Sequence, residues 1–374
     1  MSSSPPQELR RIQALSTLLI DKIAAGEVIE APFSVIKELV ENSLDAGAQN
    51  MQVETEGGGM ERISIEDDGH GIHPDDLRLC LQRHATSKIR ELDDLEKLYS
   101  FGFRGEALAA IGAVSRLTIR SRQASSPVAH CMESRGGRIV TTNVVAAPVG
   151  TAIAVNELFY ATPARRKFVK SERSENMRIT GELRKLALAH PSVSWRYIRD
   201  AKPRLHWTRA TSLQERIGQI FQPQLLDHLL AVDFEYQGMR LHGFISDEDY
   251  YRANREGQYS FVNGRSVEIQ NFGWLVKKAY GELLAPGSHP WSFLFLEVDP
   301  ARLDVNVHPR KLEVRLLDHS QLYSLVQGAL DPVLRPRMPL SMPWSRSRTF
   351  TDRQQSMDVL SHFKSQHPRM PGLE

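Results

Sequence analysis

Three polar side chains fall on one stripe of a predicted helix, and their chemistry suits phosphate transfer. The run is Lys37-Glu38-Leu39-Val40-Glu41-Asn42-Ser43-Leu44-Asp45-Ala46. At 100° per residue, Glu38 and Asn42 lie about 40° apart and Glu38 and Asp45 about 20°. Leu39, Val40 and Leu44 lie away from that stripe and can face a sheet. The amide oxygen of Asn42 can bind a hard cation such as Mg²⁺. Glu38 can position or deprotonate a water. Spacing alone fits a solvated polar face at least as well, with Glu38 paired to Lys37 or an arginine.

Two glycine loops shift that balance. Asp67-x-Gly69-x-Gly71 follows a predicted strand. Its glycines let backbone approach a ligand, and Asp67 can accept a hydrogen bond from an exocyclic amine. Phe101-Gly102-Phe103-Arg104-Gly105-Glu106 opens a second helix. Backbone N–H groups and a helix dipole there can face an anion. The chain has no G-x-x-x-x-G-K-[S/T] string and no G-x-G-x-x-G after a strand. That argues against a P-loop or a dinucleotide fold.

The elements that must position these residues follow from periodicity. Segment 16–48 reads as two helices, with Ser16 capping the first and Pro32 opening the second. Segments 50–56 and 61–67 read as a hairpin turned by Gly57-Gly58-Gly59. Helices are expected near 74–83 and 105–114, and strands over 116–122, 128–134, 138–145 and 151–156. A basic helix follows over 163–190, with strands near 193–199 and 229–245. Then come a helix at 267–284, a strand at 291–298 and a helix at 318–330. This order predicts an α+β fold: helices layered on a mixed sheet, followed by a smaller α/β domain. The expected boundaries are a flexible N-terminus over 1–15, a first domain over 16–215 and a second over 216–334. Residues 335–374, rich in Pro, Ser and Arg, read as the disordered start of a linker.

Composition sets outer bounds. Of 374 residues, 41% are hydrophobic and 25% charged, ordinary globular values. The two cysteines, Cys80 and Cys131, have no metal-ligand spacing and read as reduced residues of a reducing compartment. There is no apolar run of membrane-spanning length and no signal-peptide pattern, so a cytoplasmic protein is expected. Net charge is +2, yet between Ala161 and Arg209 13 Lys or Arg stand against 4 Asp or Glu. Such a block fits either an anionic polymer or a solvated helix face.

Glu38-x-x-x-Asn42, Asp67-x-Gly69-x-Gly71, the Gly102–Gly105 loop and Gly150-Thr151 occur in the order of the four motifs of the GHKL ATPases, which they resemble. More narrowly, several strings resemble the MutL family of DNA mismatch-repair proteins. They are Ile23 to Val28, Lys37 to Ala48, Arg83-His-Ala-Thr-Ser-Lys-Ile89, Gly102 to Leu108, Thr162-Pro-Ala-Arg-Arg-Lys-Phe168 and Asp304-Val-Asn-Val-His-Pro309. The match covers about residues 12–330. Where many relatives have Asp-Asn-Gly, this chain has Asp67-Asp68-Gly69.

The resemblance implies a Bergerat-type (GHKL) sandwich that binds ATP and Mg²⁺. It makes Glu38 the general base and Asn42 the Mg²⁺ ligand. Asp67 would read the adenine amino group with help from Thr151. Gly69 and Gly71 would line the base pocket, with Asp45 and Ala46 close by. Thr86, Ser87, Lys88, Gly102, Phe103, Arg104 and Gly105 would form a lid over the triphosphate. Lys311, from the second domain, would reach the γ-phosphate; His308 reads as structural. Arg165, Arg166, Lys167, Lys170 and Arg265 would contact DNA phosphates without reading sequence. The implied partners are MutS, a downstream endonuclease and helicase, and a second copy of the chain when ATP is bound. A topoisomerase ATPase subunit and a non-catalytic nucleotide-dependent DNA scaffold are the competing readings. The Ile23–Val28 and Thr162–Phe168 strings argue against the first, and an intact Glu38 against the second.

Overall fold

A proline opens the helix that carries Glu38. Pro32 takes a first-turn position of α1 (Pro32–Asp45), where the missing backbone donor costs nothing. Ala31 has no capping side chain, so Ser34 serves from inside the helix. Its Oγ accepts from the Ala31 amide at 3.1 Å and donates to the Ala31 carbonyl at 2.8 Å. Val35, Ile36, Leu39, Val40 and Ser43 are buried, while Glu38, Asn42 and Asp45 are half-buried. The apolar side of the helix faces inward and the polar stripe lies at its rim, as the periodicity predicts.

The structure, a computed structural model, describes residues 25–26, 29–88, 105–304, 313–316 and 319–337. The chain divides into two units, Met1–Val333 and Leu334–Glu374. After α1 come β1 (Asn50–Glu56), β2 (Arg62–Asp67), α2 (Ala107–Val114), β3 (Arg116–Arg122), β4 (Ala129–Arg135), β5 (Arg138–Val145) and β6 (Gly150–Asn156). Then follow α3 (Pro163–Arg166), α4 (Glu172–Ala189), β7 (Ser194–Arg199) and β8 (Lys202–Trp207). The eight strands form one mixed sheet in the order β5-β4-β3-β6-β2-β1-β7-β8. β1 and β7 run parallel, and β1 pairs antiparallel with β2 as the expected hairpin.

Every second residue of five strands is buried: Met51 and Val53, Ile63 and Ile65, Leu117 and Ile119, Ile153 and Val155, Trp195 and Tyr197. That period of two makes one face of the sheet apolar. Val35, Ile36, Leu39 and Val40 of α1 join Ile179, Leu183 and Leu186 of α4 in the same core. Each such side chain contributes about 1.5–3 kcal/mol by leaving water.

Three helix expectations change, one being 267–284, where a two-residue strand (Glu268–Ile269) precedes a helix over Phe272–Tyr280. The basic helix over 163–190 is broken into α3 and α4. Ser171 Oγ accepts the Ser174 amide at 3.4 Å, and a serine that caps a new helix interrupts the preceding one. Residues 74–83 form two short 3₁₀ turns, Pro74–Asp76 and Leu79–Leu81. Leu77 is buried, and Cys80 and Leu81 pack partly buried against the same core, so the two turns keep the inward apolar face that a helix would have presented.

The chain continues through α5 (Leu213–Ile220), α6 (Gln224–Asp227), β9 (Leu229–Tyr236), β10 (Met239–Ser246), β11 (Tyr251–Arg252), β12 (Gln258–Val262), β13 (Arg265–Ser266) and β14 (Glu268–Ile269). The last elements are α7 (Phe272–Tyr280), β15 (His289–Pro290), β16 (Ser292–Glu297), β17 (Leu303–Asp304), β18 (Glu313–Leu316) and α8 (His319–Leu334). A second sheet has the order β13-β12-β16-β10-β9. The single strand expected over 229–245 is a hairpin, β9–β10. Gln237 and Gly238 turn it with φ of 50° and 73°, the two positive values of a I′ turn. Leu188 of α4 packs with Ile217, Leu225, Phe261, Trp291 and Phe293 in a second core. One helix thus contributes to the packing of both sheets.

Candidate nucleotide site

α1 presents its stripe to a lysine from the following loop. Lys88 Nζ donates to Asn42 Oδ1 at 3.0 Å and to Asp45 Oδ2 at 2.6 Å. Glu38 stands one turn before Asn42 on the same helix, half-buried. The Lys88 amide donates to Thr86 Oγ1 at 3.2 Å, and Ser87 beside it is exposed. Gly105 packs against the same segment. Its φ is +59°, and a Cβ there would fall 2.3 Å from the Ala85 carbonyl oxygen. The Glu106 carboxylate lies 3.7 Å from Arg83 Nη2 and 3.6 Å from His84 Nδ1. Thr86, Lys88 and Gly105 therefore come together beside α1. Gly102, Phe103, Arg104 and Lys311 lie outside the described residues.

The Lys88 ammonium tests whether a metal would fit. Asn42 already offers its carboxamide oxygen to a cation, so the donor set accepts one. Among the described residues no group of three or more His, Cys, Asp or Glu could hold a metal. A magnesium ion held by one carboxamide and by substrate phosphates needs no such group.

On the other side of α1, Asp67 ends β2 opposite Thr151 of β6. Ser43 Oγ donates to Asp67 Oδ2 at 2.7 Å, and the Gly69 amide to Oδ1 at 2.9 Å. Burial pushes the Asp67 carboxyl up; the Ser43, Gly69 and Thr151 donors work against it. Gly71 has φ +75°, and a Cβ there would lie 2.3 Å from the Arg122 carbonyl oxygen. Ser121 Oγ accepts the Ile72 amide at 2.8 Å and lies 2.9 Å from Thr151 Oγ1. The Ala46 carbonyl accepts the His70 amide at 3.0 Å. Ala46, Asp67, Gly69, Gly71 and Thr151 thus lie around one place.

Ser43 and Ser121 are not among the expected site residues. The signal for Ser43 is a hydroxyl on the otherwise apolar inner face of α1. Nothing marks Ser121 in the sequence, because its role depends on strand pairing. Asp68 braces the loop against the start of β1. Its Oδ1 accepts the Gln49 and Asn50 amides at 2.7 and 2.8 Å, and Oδ2 accepts Asn50 Nδ2 at 2.6 Å. Slight burial raises its carboxyl, but these donors outweigh it and hold the carboxyl below its usual value.

Beside the stripe lies a buried set of charges. Lys37 Nζ stands 3.7 Å from Glu41 Oε1, the side chains 14% and 12% exposed. Burial pushes the Glu41 carboxyl up to about 7, against the pull of Lys37. Arg265 of β13 interacts with Glu41 and Asp45; burial lowers its pKa and these carboxylates oppose the shift. The structure therefore places Arg265 beside α1, with the nucleotide-site residues. His190, just past α4, is lowered to about 4 by burial, against the pull of Asp45. In the basic run, Arg166, Lys167 and Lys170 are exposed, whereas Arg165 turns inward. Its Nη1 donates to the Ile29 carbonyl at 3.4 Å, and its guanidinium lies 5.9 Å from the Phe159 ring centre.

A helix bearing Glu38 and Asn42, laid on a mixed sheet beside glycine loops, is the arrangement of the GHKL ATPases. The family model described as "Histidine kinase-, DNA gyrase B-, and HSP90-like ATPase" matches residues 29–142. The B-subunit of DNA gyrase from Myxococcus xanthus has a similar fold, with a TM-score of 0.55 at 11% identity over 86% of this chain and 95% of that one. The family model "DNA mismatch repair protein, C-terminal domain" matches residues 217–335. The chain is 44% identical over 337 residues to DNA mismatch repair protein MutL of Leptospira biflexa, covering 90% of this chain and 55% of that protein. The solved MutL ATPase domain of Aquifex aeolicus complexed with ADP is 30% identical, with a TM-score of 0.56 over 73% of this chain and 94% of that one. The chain belongs to the MutL family of DNA mismatch-repair proteins and corresponds to their N-terminal ATPase region. It spans about half the length of the curated relatives it matches. Among the described residues no helix is long and apolar enough to cross a membrane.

Proposed function

We propose that this chain is an ATP-driven switch of mismatch repair that binds ATP with Mg²⁺ and hydrolyses it. The observation that carries the reading is the Lys88 ammonium held by Asn42 and Asp45 on the helix that bears Glu38. That is a cation-accepting notch one helical turn from a carboxylate. Glu38 orients the attacking water and takes its proton as the oxygen adds to the γ-phosphorus and ADP leaves. Asn42 holds Mg²⁺, which when bound neutralises charge on the phosphates. Asp67 accepts from the adenine amino group, its carboxylate kept in place by Ser43 and Gly69. Thr151 supports it, Gly69 and Gly71 line the base pocket, and Ala46 closes the end of α1. Thr86, Ser87, Lys88 and residues 102–105 form the lid over the phosphates.

Lys311 reaches the γ-phosphate from the second of two domains, 16–215 and 216–334. Hydrolysis then removes a contact that only ATP provides, which is how a bound nucleotide biases one conformation over another. Two copies associate through their N-terminal regions while ATP is bound. The switch relays mismatch recognition from MutS to an endonuclease and a helicase in the bacterial cytosol, on the nucleoid. Arg166, Lys167 and Lys170 contact DNA phosphates. The name of the Aquifex aeolicus domain, an ADP complex, supports a nucleotide ligand.

The deciding comparison is wild type against Glu38→Ala. ATP binding should persist while phosphate release falls by about 100- to 10,000-fold, the range for loss of a general base. Equal turnover in the two proteins would remove Glu38 from the mechanism.

A further inference from the structure

Phe168 is 87% exposed, the most exposed large apolar side chain among the described residues. Its amide donates to the Arg165 carbonyl at 2.9 Å, so the backbone is held by a turn while the ring stands in water. Scattered exposed apolar residues are ordinary; the surroundings of this one are not. Arg166, Lys167, Lys170 and Arg173 are exposed around it in the chain. One turn after Arg173, on the same side of α4, Met177 is 62% exposed.

Two of the three acidic residues between Arg166 and Lys185 are turned away from that surface, while Glu172 is exposed. Glu175 and Glu182 are buried. Glu175 pairs with Arg178 at 3.1 Å and Glu182 with Lys185 at 3.6 Å. Among the exposed side chains of Ala161–Arg209, 9 Lys or Arg stand against 2 Asp or Glu, a higher ratio than in the composition. Basic side chains alone would serve a duplex backbone. An unpacked ring set among them is what unstacked bases require, because every base has a π-face and stacking tolerates any sequence.

We propose that the Arg166–Met177 surface binds single-stranded DNA and that Phe168 is the platform on which one base stacks. This rests on the reading of the basic run as DNA-contacting. It adds a contact to the bases, which phosphate binding does not supply. Arg166, Lys167, Lys170 and Arg173 hold the backbone to either side.

The test measures binding of a single-stranded oligonucleotide and of an abasic strand of equal length, at one fixed low salt concentration. Phe168→Ala should weaken the base-bearing strand about tenfold, as loss of one stacked base does. It should leave the abasic strand unchanged, and Phe168→Tyr should restore wild-type binding. The ring is exposed, so thermal unfolding of the variants should match wild type. Equal affinity of Phe168→Ala and wild type for the base-bearing strand would overturn the proposal, as would equal weakening of both strands. Unchanged strand binding with loss of self-association would assign the ring to protein contact and overturn the proposal too. The underlying phosphate reading fails separately, if reversing the charge at Arg166 and Lys167 leaves the abasic strand's affinity unaltered.

Discussion

Ser43 shows how a site residue can be hidden by its position. Its hydroxyl donates to Asp67 at 2.7 Å and lies 3.2 Å from the Leu39 carbonyl oxygen, and it sits on the buried side of α1. Ser43→Ala leaves a partly buried carboxylate short of one donor. A hydrogen bond to a charged group is worth about 1.5–3 kcal/mol. The variant should therefore unfold at lower denaturant and bind nucleotide several-fold more weakly; chemical denaturation and titration with labelled ADP would check both. Undiminished binding would separate Asp67 from the nucleotide. Glu38, Asn42 and Asp67 are legible in the sequence because their spacing and glycine neighbours are local. Ser43 and Ser121 are not, since each acts through a contact made only when the helix meets the sheet. Arg265 illustrates the opposite difficulty. The family resemblance implies a DNA contact for it, while its observed partners are the carboxylates beside α1.

At the scale of elements, the first sheet is readable from the sequence and several helices are not. The expected bounds of β1 to β6 match the observed ones within a residue; alternation into one core accounts for strands such as β1 and β3, whereas β5 buries no side chain. The basic stretch 163–190 carries helical residues throughout, so its break depends on Ser171 competing as a cap. The β9–β10 turn lacks an Asn-Gly or Asp-Gly pair, and its Gln237-Gly238 step gives a weak signal. The loop after β2 yields a sharper prediction. Gly71 combines φ +75° with backbone 2.3 Å from where a Cβ would go. Gly71→Ala should cost at least about 1–3 kcal/mol through strain at a special backbone position. It should weaken nucleotide binding as well, since the loop must move away from β3. Urea unfolding that coincides with wild type would show that the loop yields freely.

Over the whole molecule, α4 is an element that both cores share. At its end His190 is held neutral, lowered to about 4 by burial. A depressed base contributes stability that is fully present above its unfolded value, near 6.5, and is lost as pH falls toward 4. Unfolding free energy should therefore decline by about 2 kcal/mol across that window, and His190→Asn should flatten the decline. Glu41, raised to about 7, has the opposite sign: its contribution is full below its unfolded value near 4.5 and is lost as pH rises through 7. Glu41→Gln should thus remove a loss of stability near neutrality. Urea midpoints measured every half pH unit would separate the two groups.

Asp67 and Thr151 meet as register partners of β2 and β6 although 84 positions separate them in the chain. β6 lies between β3 and β2 in the sheet, so it is the strand that closes the central ladder. A polypeptide leaving the ribosome would expose Glu38, Asn42 and Asp67 well before Thr151 is made. On the proposed reading, nucleotide affinity is then acquired only once β6 has paired with β2 and β3, before β7 and β8 are made.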